Sequence, residues 1–304
     1  MAGDGSMPHV LVVDDEPKVC DLMADILSPS CRVSTCTSYR EALALCDSTT
    51  FDMVISDINM PDGDGMELIG AVRRRSPSTV TVLMTGYDVN DYLVQARQHG
   101  VSNIITKTSP LNMAEIRTEV ETLLSGEIFG LRRHLLDGGE IVARYELRSS
   151  AEARVLRDEV EKLFAERFGS ARDMKLVLDE IVTNAIYHAP ATEDGQPKYG
   201  RFGEVRLAEG EYVEVECGYD SEKYGVSVTD RSGRLTKETV LERIERHVSG
   251  KGLTDTRGRG IHLSRLLSDR MIINIKPCVR TEVILMNYFE AKYRGFKPLY
   301  INEL

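Results

Sequence analysis

Residues Phe51–Gly65 read FDMVISDINMPDGDG, and the fold of the N-terminal half turns on how they are read. Met53, Val54 and Ile55 form a short apolar run of the kind that becomes a parallel strand buried on both faces, and Asp57 follows just past its end. Carboxylates at that edge of an open α/β sheet face the ligand crevice. Pro61, Gly63 and Gly65 then impose a tight loop, which is expected to turn the backbone away and leave the Asp57 carboxylate open to solvent. That position suits a nucleophile.

Working outward, His9–Val13 (HVLVV) is a second buried-strand run, ending in Asp14, Asp15 and Glu16. Carboxylates at neighbouring strand ends make a hard oxygen cluster of the kind that holds Mg2+ through one or two carboxylates plus water and phosphate. Such an ion offsets the repulsion between Asp57 and an incoming phosphoryl group. Two further runs, VTVLMT and VSNIIT, end at Thr85 and just before Lys107. A hydroxyl and an ammonium are suited to developing phosphoryl charge. Helical patterns alternate with these strands at Lys18–Leu27, Arg40–Cys46, Met66–Arg74, Asn90–His99 and Met113–Leu124. That alternation predicts a doubly wound parallel sheet with right-handed crossovers.

With these residues in place, positions 8–125 resemble a CheY-like response-regulator receiver domain of flavodoxin-like fold. The resemblance implies strand order 2-1-3-4-5, Asp57 as phospho-acceptor, and Asp14 and Asp15 as metal ligands together with Asp57. It also implies Thr85 as the switch hydroxyl, Lys107 as the phosphate-binding lysine, and a sensor histidine kinase as phosphoryl donor. Two positions depart from the pattern: Ile104 stands where an aromatic residue is usual, and Thr108 where proline is usual.

The chain has 304 residues, enough for two domains with cores of their own. Its net charge of −10 argues against a nucleic-acid partner, whose backbone is held by clustered Lys and Arg. The opening MAGDGSMPHV has neither a basic n-region nor an apolar h-region, and no later apolar run approaches a membrane span, so a cytoplasmic location is expected. Six cysteines form no CxxC pair, and no chemistry is assigned to them.

Residues 126–140 read as a connector, with a helical stripe from Ala114 to Leu136 that includes Ile116, Val120, Leu131 and Leu135 and is flawed only at Ser125 and Gly126. A helix prolonged from the first domain and a helix that couples domains or forms a homodimer stand as equal readings. His134 lacks the acidic residue and proline that follow a phospho-accepting histidine. Beyond it, a strand at Ile141–Leu147 and a helix at Ala151–Phe168 precede a helix over Arg172–His188 containing LVLDEIVTNAIYHA. Glu180, Asn184 and His188 recur there at i, i+4 and i+8, lining one face. Strand-like runs follow at Glu204–Leu207, Tyr212–Gly218 and Tyr224–Thr229, the last leading into Asp230 with Gly233 in the turn behind it. A helix at Lys237–His247 and a glycine-dense stretch place Gly258 and Gly260 at a helix start, where backbone N–H groups suit phosphate. Two more strands, Met271–Ile275 and Thr281–Tyr288, close the sheet.

The order ExxxNAxxHA, DxxG, GRG makes residues 141–290 resemble the GHKL ATPase fold, a two-layer α/β sandwich, and within it the anti-sigma-factor serine kinases. What the resemblance implies is ATP as ligand, Asn184 on a Mg2+ that bridges its phosphates, Asp230 on the adenine amino group, and Gly233, Gly258 and Gly260 close to the nucleotide. It further implies Glu180 as general base, with His188 as either a nucleotide contact or a hydrogen-bonded helix-end residue. Lys251, Arg257 and Arg259 of the lid are candidate phosphate partners. Ser232 replaces the first glycine of the usual adenine-binding turn. Residues 291–304 are expected to form a tail. The function so implied is a response regulator whose kinase output acts on a sigma factor or an anti-anti-sigma-like protein. The rival reading is a non-catalytic scaffold that sequesters such a partner.

Overall fold

Two compact units make up the computed structural model, which describes residues 7–168, 174–192, 196–200, 203–250, 259–289 and 296–304. The first unit takes in residues up to Ile128 together with Pro298–Tyr300, and the second takes in Phe129–Lys297 with Ile301–Leu304.

The first unit runs β1 (His9–Val13), α1 (Pro17–Leu27), β2 (Arg32–Cys36), α2 (Tyr39–Ser48), β3 (Met53–Asp57), the two-residue strands β4 (Asn59–Met60) and β5 (Gly63–Asp64), α3 (Gly65–Arg75), β6 (Val80–Thr85), α4 (Leu93–Gln98), β7 (Asn103–Thr106) and α5 (Met113–Ser125). The main strands are parallel in the order β2-β1-β3-β6-β7, the flavodoxin-like arrangement. Val10–Val13 and Met53–Ile55 are wholly buried, as a sheet covered by helices on both faces requires. Helix starts are fixed by side-chain caps: Ser38 accepts the Glu41 N–H, Asp64 the Met66 N–H and Asn112 the Glu115 N–H. Each such cap is worth about 1 kcal/mol.

The stripe read as one helix to Leu136 is interrupted. Helix α5 ends at Ser125 because Gly126 adopts a left-handed conformation (φ 68°), a common helix stop. Ile116 and Val120 are buried in this unit, whereas Leu131 and Leu135 are buried in the second, where Leu131–His134 forms a short 3-10 turn. A coupling or dimerising helix through residues 126–136 is therefore not formed. Near the C-terminus, Leu299 and Tyr300 pair antiparallel with Ile104 and Asn103 of β7. The Tyr300 hydroxyl donates to the buried Glu115 Oε1 (3.0 Å).

In the second unit β8 (Glu140–Leu147) precedes α6 (Ser150–Phe168), α7 (Met174–Thr183), β9 (Val213–Tyr219), β10 (Lys223–Asp230), α8 (Lys237–Val248), α9 (Arg259–Leu267), β11 (Arg270–Lys276) and β12 (Arg280–Tyr288). The sheet is antiparallel in the order β8-β9-β10-β12-β11. Side chains alternate across it. Tyr224 meets Phe164 of α6 with ring centroids 4.9 Å apart, so one face carries the helices. Leu131 and Leu135 lie over Gly225 and Gly218 on the other. The result is an α/β sandwich. Glu204–Leu207 is not a strand, since only Arg206 bridges, to Ser149. The strand β13 (Leu299–Glu303) replaces the expected tail, and in this unit the Leu304 N–H donates to the Ile275 carbonyl (3.0 Å).

Candidate functional site

The first site forms where β1 and β3 end. Asp14 is fully buried and Asp57 only 6 % exposed, so the open carboxylate expected from the sequence is instead enclosed. Two contacts close it. Lys107 Nζ lies 2.5 Å from Asp57 Oδ1 and 2.7 Å from Asp14 Oδ2, and the Asn59 N–H donates to Asp57 Oδ2 (2.7 Å). The loop behind β3 can pass this close only because Gly65 has no side chain; a Cβ there would collide with the Asp57 carbonyl.

Burial raises the Asp57 and Asp14 carboxyls above the ordinary carboxylate range, while the bonds from Lys107 act the other way. Burial also works against the charge on Lys107, yet its contacts with Asp14 and Asp57 prevail and hold its pKa above the usual value. The ammonium thus stays charged between two carboxylates. Thr85 is buried at the end of β6, with its hydroxyl engaged by the Tyr87 N–H (3.1 Å) rather than by Asp57. Asp15 is partly exposed beside Asp14. Among the described residues no three His, Cys, Asp or Glu side chains converge on one point. The Asp14–Asp57 pair suits Mg2+, which keeps water and phosphate oxygens in the rest of its shell.

The second site is a cavity of about 810 Å³ in the second unit, whose lining includes Glu180, Asn184, Asp230, Arg243, Gly260 and Thr281. That volume falls within the range of small-molecule sites, roughly 300–1,000 Å³. Glu180 and Asn184 reach it from one face of α7 and the turn beyond. The helix does not continue regularly: from Asn184 to His188 it widens into a π turn, with the Ala189 N–H bonded to the Asn184 carbonyl (3.0 Å). Such turns are frequent at functional sites. His188, which the regular i+8 spacing would stack above Asn184, is exposed within the lining.

Gly260, in the first turn of α9, lies against the Glu180 and Asn184 side chains; a Cβ on it would stand 2.7 Å from Glu180 Oε2 and 2.9 Å from Asn184 Nδ2. Gly258, Lys251 and Arg257 lie outside the described residues, as does the Arg259 side chain.

Asp230 ends β10. Its Oδ1 accepts hydrogen bonds from the Ser232 N–H (2.8 Å), the Ser232 hydroxyl (2.6 Å) and the Gly233 N–H (3.3 Å). Burial raises the Asp230 pKa, and the bonds from Ser232 and Gly233 oppose that rise. Gly233 is left-handed (φ 58°), and any Cβ there would strike the Lys276 carbonyl, so the turn demands glycine. The serine that departs from the usual glycine pattern thus holds one oxygen of Asp230. The sequence motifs point to neither Thr281 nor Arg243. Thr281 lies opposite Asp230 in the β10–β12 register, and that register carried its signal.

Residues 10–121 match the family of the response regulator receiver domain, and residues 142–286 that of the histidine kinase-like ATPase domain. Among curated proteins the chain is similar to the response regulator protein PilR of Pseudomonas aeruginosa, with 29% identity over 160 residues, 52% of this chain and 34% of the relative. It is similar also to the response regulator protein FleR of the same organism, with 33% identity over 99 residues, 32% of this chain and 21% of the relative. The chain therefore spans only a minor part of either relative. A solved CheY-like receiver domain protein from Methanospirillum hungatei is 25% identical with a TM-score of 0.38, over 40% of this chain and 98% of that one. Among the described residues no helix is long and apolar enough to cross a membrane. The chain joins a response regulator receiver domain to a histidine kinase-like ATPase domain.

Proposed function

We propose that the protein is a two-component regulator in which a sensor histidine kinase phosphorylates Asp57 and thereby controls an ATP-binding output domain. That output is a serine/threonine protein kinase of the anti-sigma-factor type, acting on an anti-anti-sigma-like protein or a sigma factor. The observation that carries the reading of the output domain is the single cavity bringing Glu180 and Asn184 together with Asp230 and Gly260.

In the receiver, one Asp57 oxygen attacks the phosphorus of the sensor kinase's phosphohistidine as the P–N bond breaks and the imidazole leaves, and Lys107 stands against the charge that develops. Asp14 and Asp57, with Asp15 beside them, would hold Mg2+, which when bound offsets carboxylate–phosphoryl repulsion. In the output domain, Asp230 Oδ2, which the turn holding Oδ1 does not engage, accepts a hydrogen bond from the adenine amino group. A guanine carbonyl in the same place would leave that oxygen unpaired, which costs about 1–3 kcal/mol. Asn184 would hold the metal that accompanies ATP. Glu180, one helical turn away, takes the proton from the partner's hydroxyl as that oxygen bonds the γ-phosphorus of ATP and ADP leaves.

Calorimetric titration of Mg-ATP and turnover of labelled ATP, on wild type, Asn184→Ala, Glu180→Ala and Asp57→Ala with and without beryllium fluoride, test this. The expected result is binding that needs Asn184, transfer that needs Glu180, and an effect of beryllium fluoride that Asp57→Ala removes. A Glu180→Ala protein that keeps full biological function would turn the reading to a non-catalytic scaffold. Wild type that binds no nucleotide in either state would overturn the output assignment.

A further inference from the structure

We propose that Arg243 of α8 binds the phosphate chain of the nucleotide, an inference that rests on the nucleotide reading of this cavity and assigns its anion-recognising side chain. The phase of α8 is set at its start, where Thr236 accepts the Thr239 N–H (3.2 Å). Val240, Leu241 and Ile244 are then buried, and Thr239 and Arg243, one turn apart, share the face that lines the cavity.

Three observations make Arg243 a binding group rather than a structural one. It is partly buried, yet among the described residues its guanidinium makes no hydrogen bond and no ion pair. The charge that acts on it is that of the exposed Glu242, its neighbour in sequence, and burial pulls its pKa below the ordinary arginine value. The carboxylate of Asp230 is held by its own turn. A guanidinium taken partly out of water and left without an anion is unfavourable, and it remains protonated. An anionic ligand in the cavity removes the imbalance. The planar fork matches phosphate oxygens in pairs.

The course of the helix indicates which end of a nucleotide Arg243 meets. Helix α8 starts shortly after the Asp230 turn and leads away from it. His247, one turn past Arg243, donates Nδ1–H to the Arg243 carbonyl (2.8 Å) and stacks on His262 of α9 at 5.3 Å between centroids. The first turn of α9 contains Gly260, beside Glu180 and Asn184. Arg243 therefore stands between the Asp230 end of the cavity and the Asn184–Gly260 end, on the path of a phosphate chain whose base is held at Asp230.

The test is titration of Mg-ATP, Mg-ADP and adenosine into the full chain as wild type, Arg243→Gln and Arg243→Lys. Arg243→Gln is expected to weaken ATP about tenfold or more, the scale of one charge-assisted hydrogen bond, and adenosine less than about twofold. Arg243→Lys, which keeps the charge but not the fork, should lose affinity for ATP alone and by less. In wild type the Arg243 Nε–Hε resonance, assigned by its loss in Arg243→Lys, should shift with ATP and not with adenosine, a readout that survives if Arg243→Gln does not fold. Equal losses for ATP and adenosine, unchanged ATP affinity, or an unmoved resonance overturn the inference while leaving nucleotide binding in place. Wild type that binds neither ligand overturns the nucleotide reading and this inference with it.

Discussion

Replacing Gly260 by alanine separates the stability of the ATPase domain from its ligand binding. In the first turn of α9 the substitution favours the helix by at most about 0.5–1 kcal/mol, since glycine loses more chain entropy than alanine. Against that stands a Cβ placed 2.7 Å from Glu180 Oε2 and 2.9 Å from Asn184 Nδ2, when unstrained contacts need about 3.5 Å. Both opposing atoms are tips of side chains on one face of α7 and its π turn, so they yield by rotating rather than by moving the helix. Net stability should therefore change by less than about 1 kcal/mol, a shift of roughly 2–4 °C in Tm for a unit of this size. Binding has no such escape. Asn184 is displaced by about 1 Å from where, on the proposed reading, it would hold the metal of Mg-ATP, and losing one charge-assisted contact of about 1.5–3 kcal/mol weakens Mg-ATP roughly 10- to 100-fold. Differential scanning fluorimetry and calorimetric titration of Mg-ATP on the same preparation read both quantities. Affinity within twofold of wild type would show that Asn184 does not hold the ligand's metal, and a collapse of Tm would show that α9 cannot accept the methyl group at all.

Three further outcomes follow from individual contacts. Burial raises the Asp14 pKa in the folded chain, so this group favours folding below the ordinary carboxylate pKa and loses that contribution as pH rises through the raised value. Asp14→Asn should therefore melt higher than wild type at pH 7.5, by a margin that narrows toward pH 4.5, and a margin independent of pH would contradict the burial argument. Tyr300→Phe removes the donor to buried Glu115 Oε1 and should cost about 1–2 kcal/mol in urea denaturation of the receiver unit, with no change counting against a formed contact. Ser232→Ala removes one of three donors to Asp230 Oδ1. It should lower ATP affinity about threefold to tenfold and narrow the preference for adenine over guanine nucleotides, as read by competition titration.

What could be read from the sequence was what local patterning determines. The apolar run Met53–Ile55 is wholly buried, and Asp14, Asp57 and Lys107 meet at its end as their places at strand ends implied. The pattern misled wherever burial depended on a partner that it does not name. Leu131 and Leu135 continue the helical stripe of Ile116 and Val120 and are buried as it requires, but in the second unit, against the glycines Gly225 and Gly218, after Gly126 has ended the helix. Leu299 and Tyr300 lie in a stretch that looks like a tail, because the edge of β7 that takes them up is almost two hundred residues away. The enclosure of Asp57 is a related case: the sequence implies that Lys107 stands at a neighbouring strand end, but not that its ammonium closes over the carboxylate. Arg243 shows the opposite case. Its register was present in the Thr236 cap and the buried Val240, Leu241 and Ile244, but a helix phase gains chemical meaning only once the cavity on its inner side is known. Residues that recognise a ligand through an unpaired charge are for that reason harder to see in sequence than those that act through motif spacing. The polar group that would betray them is one that the fold has left unmatched.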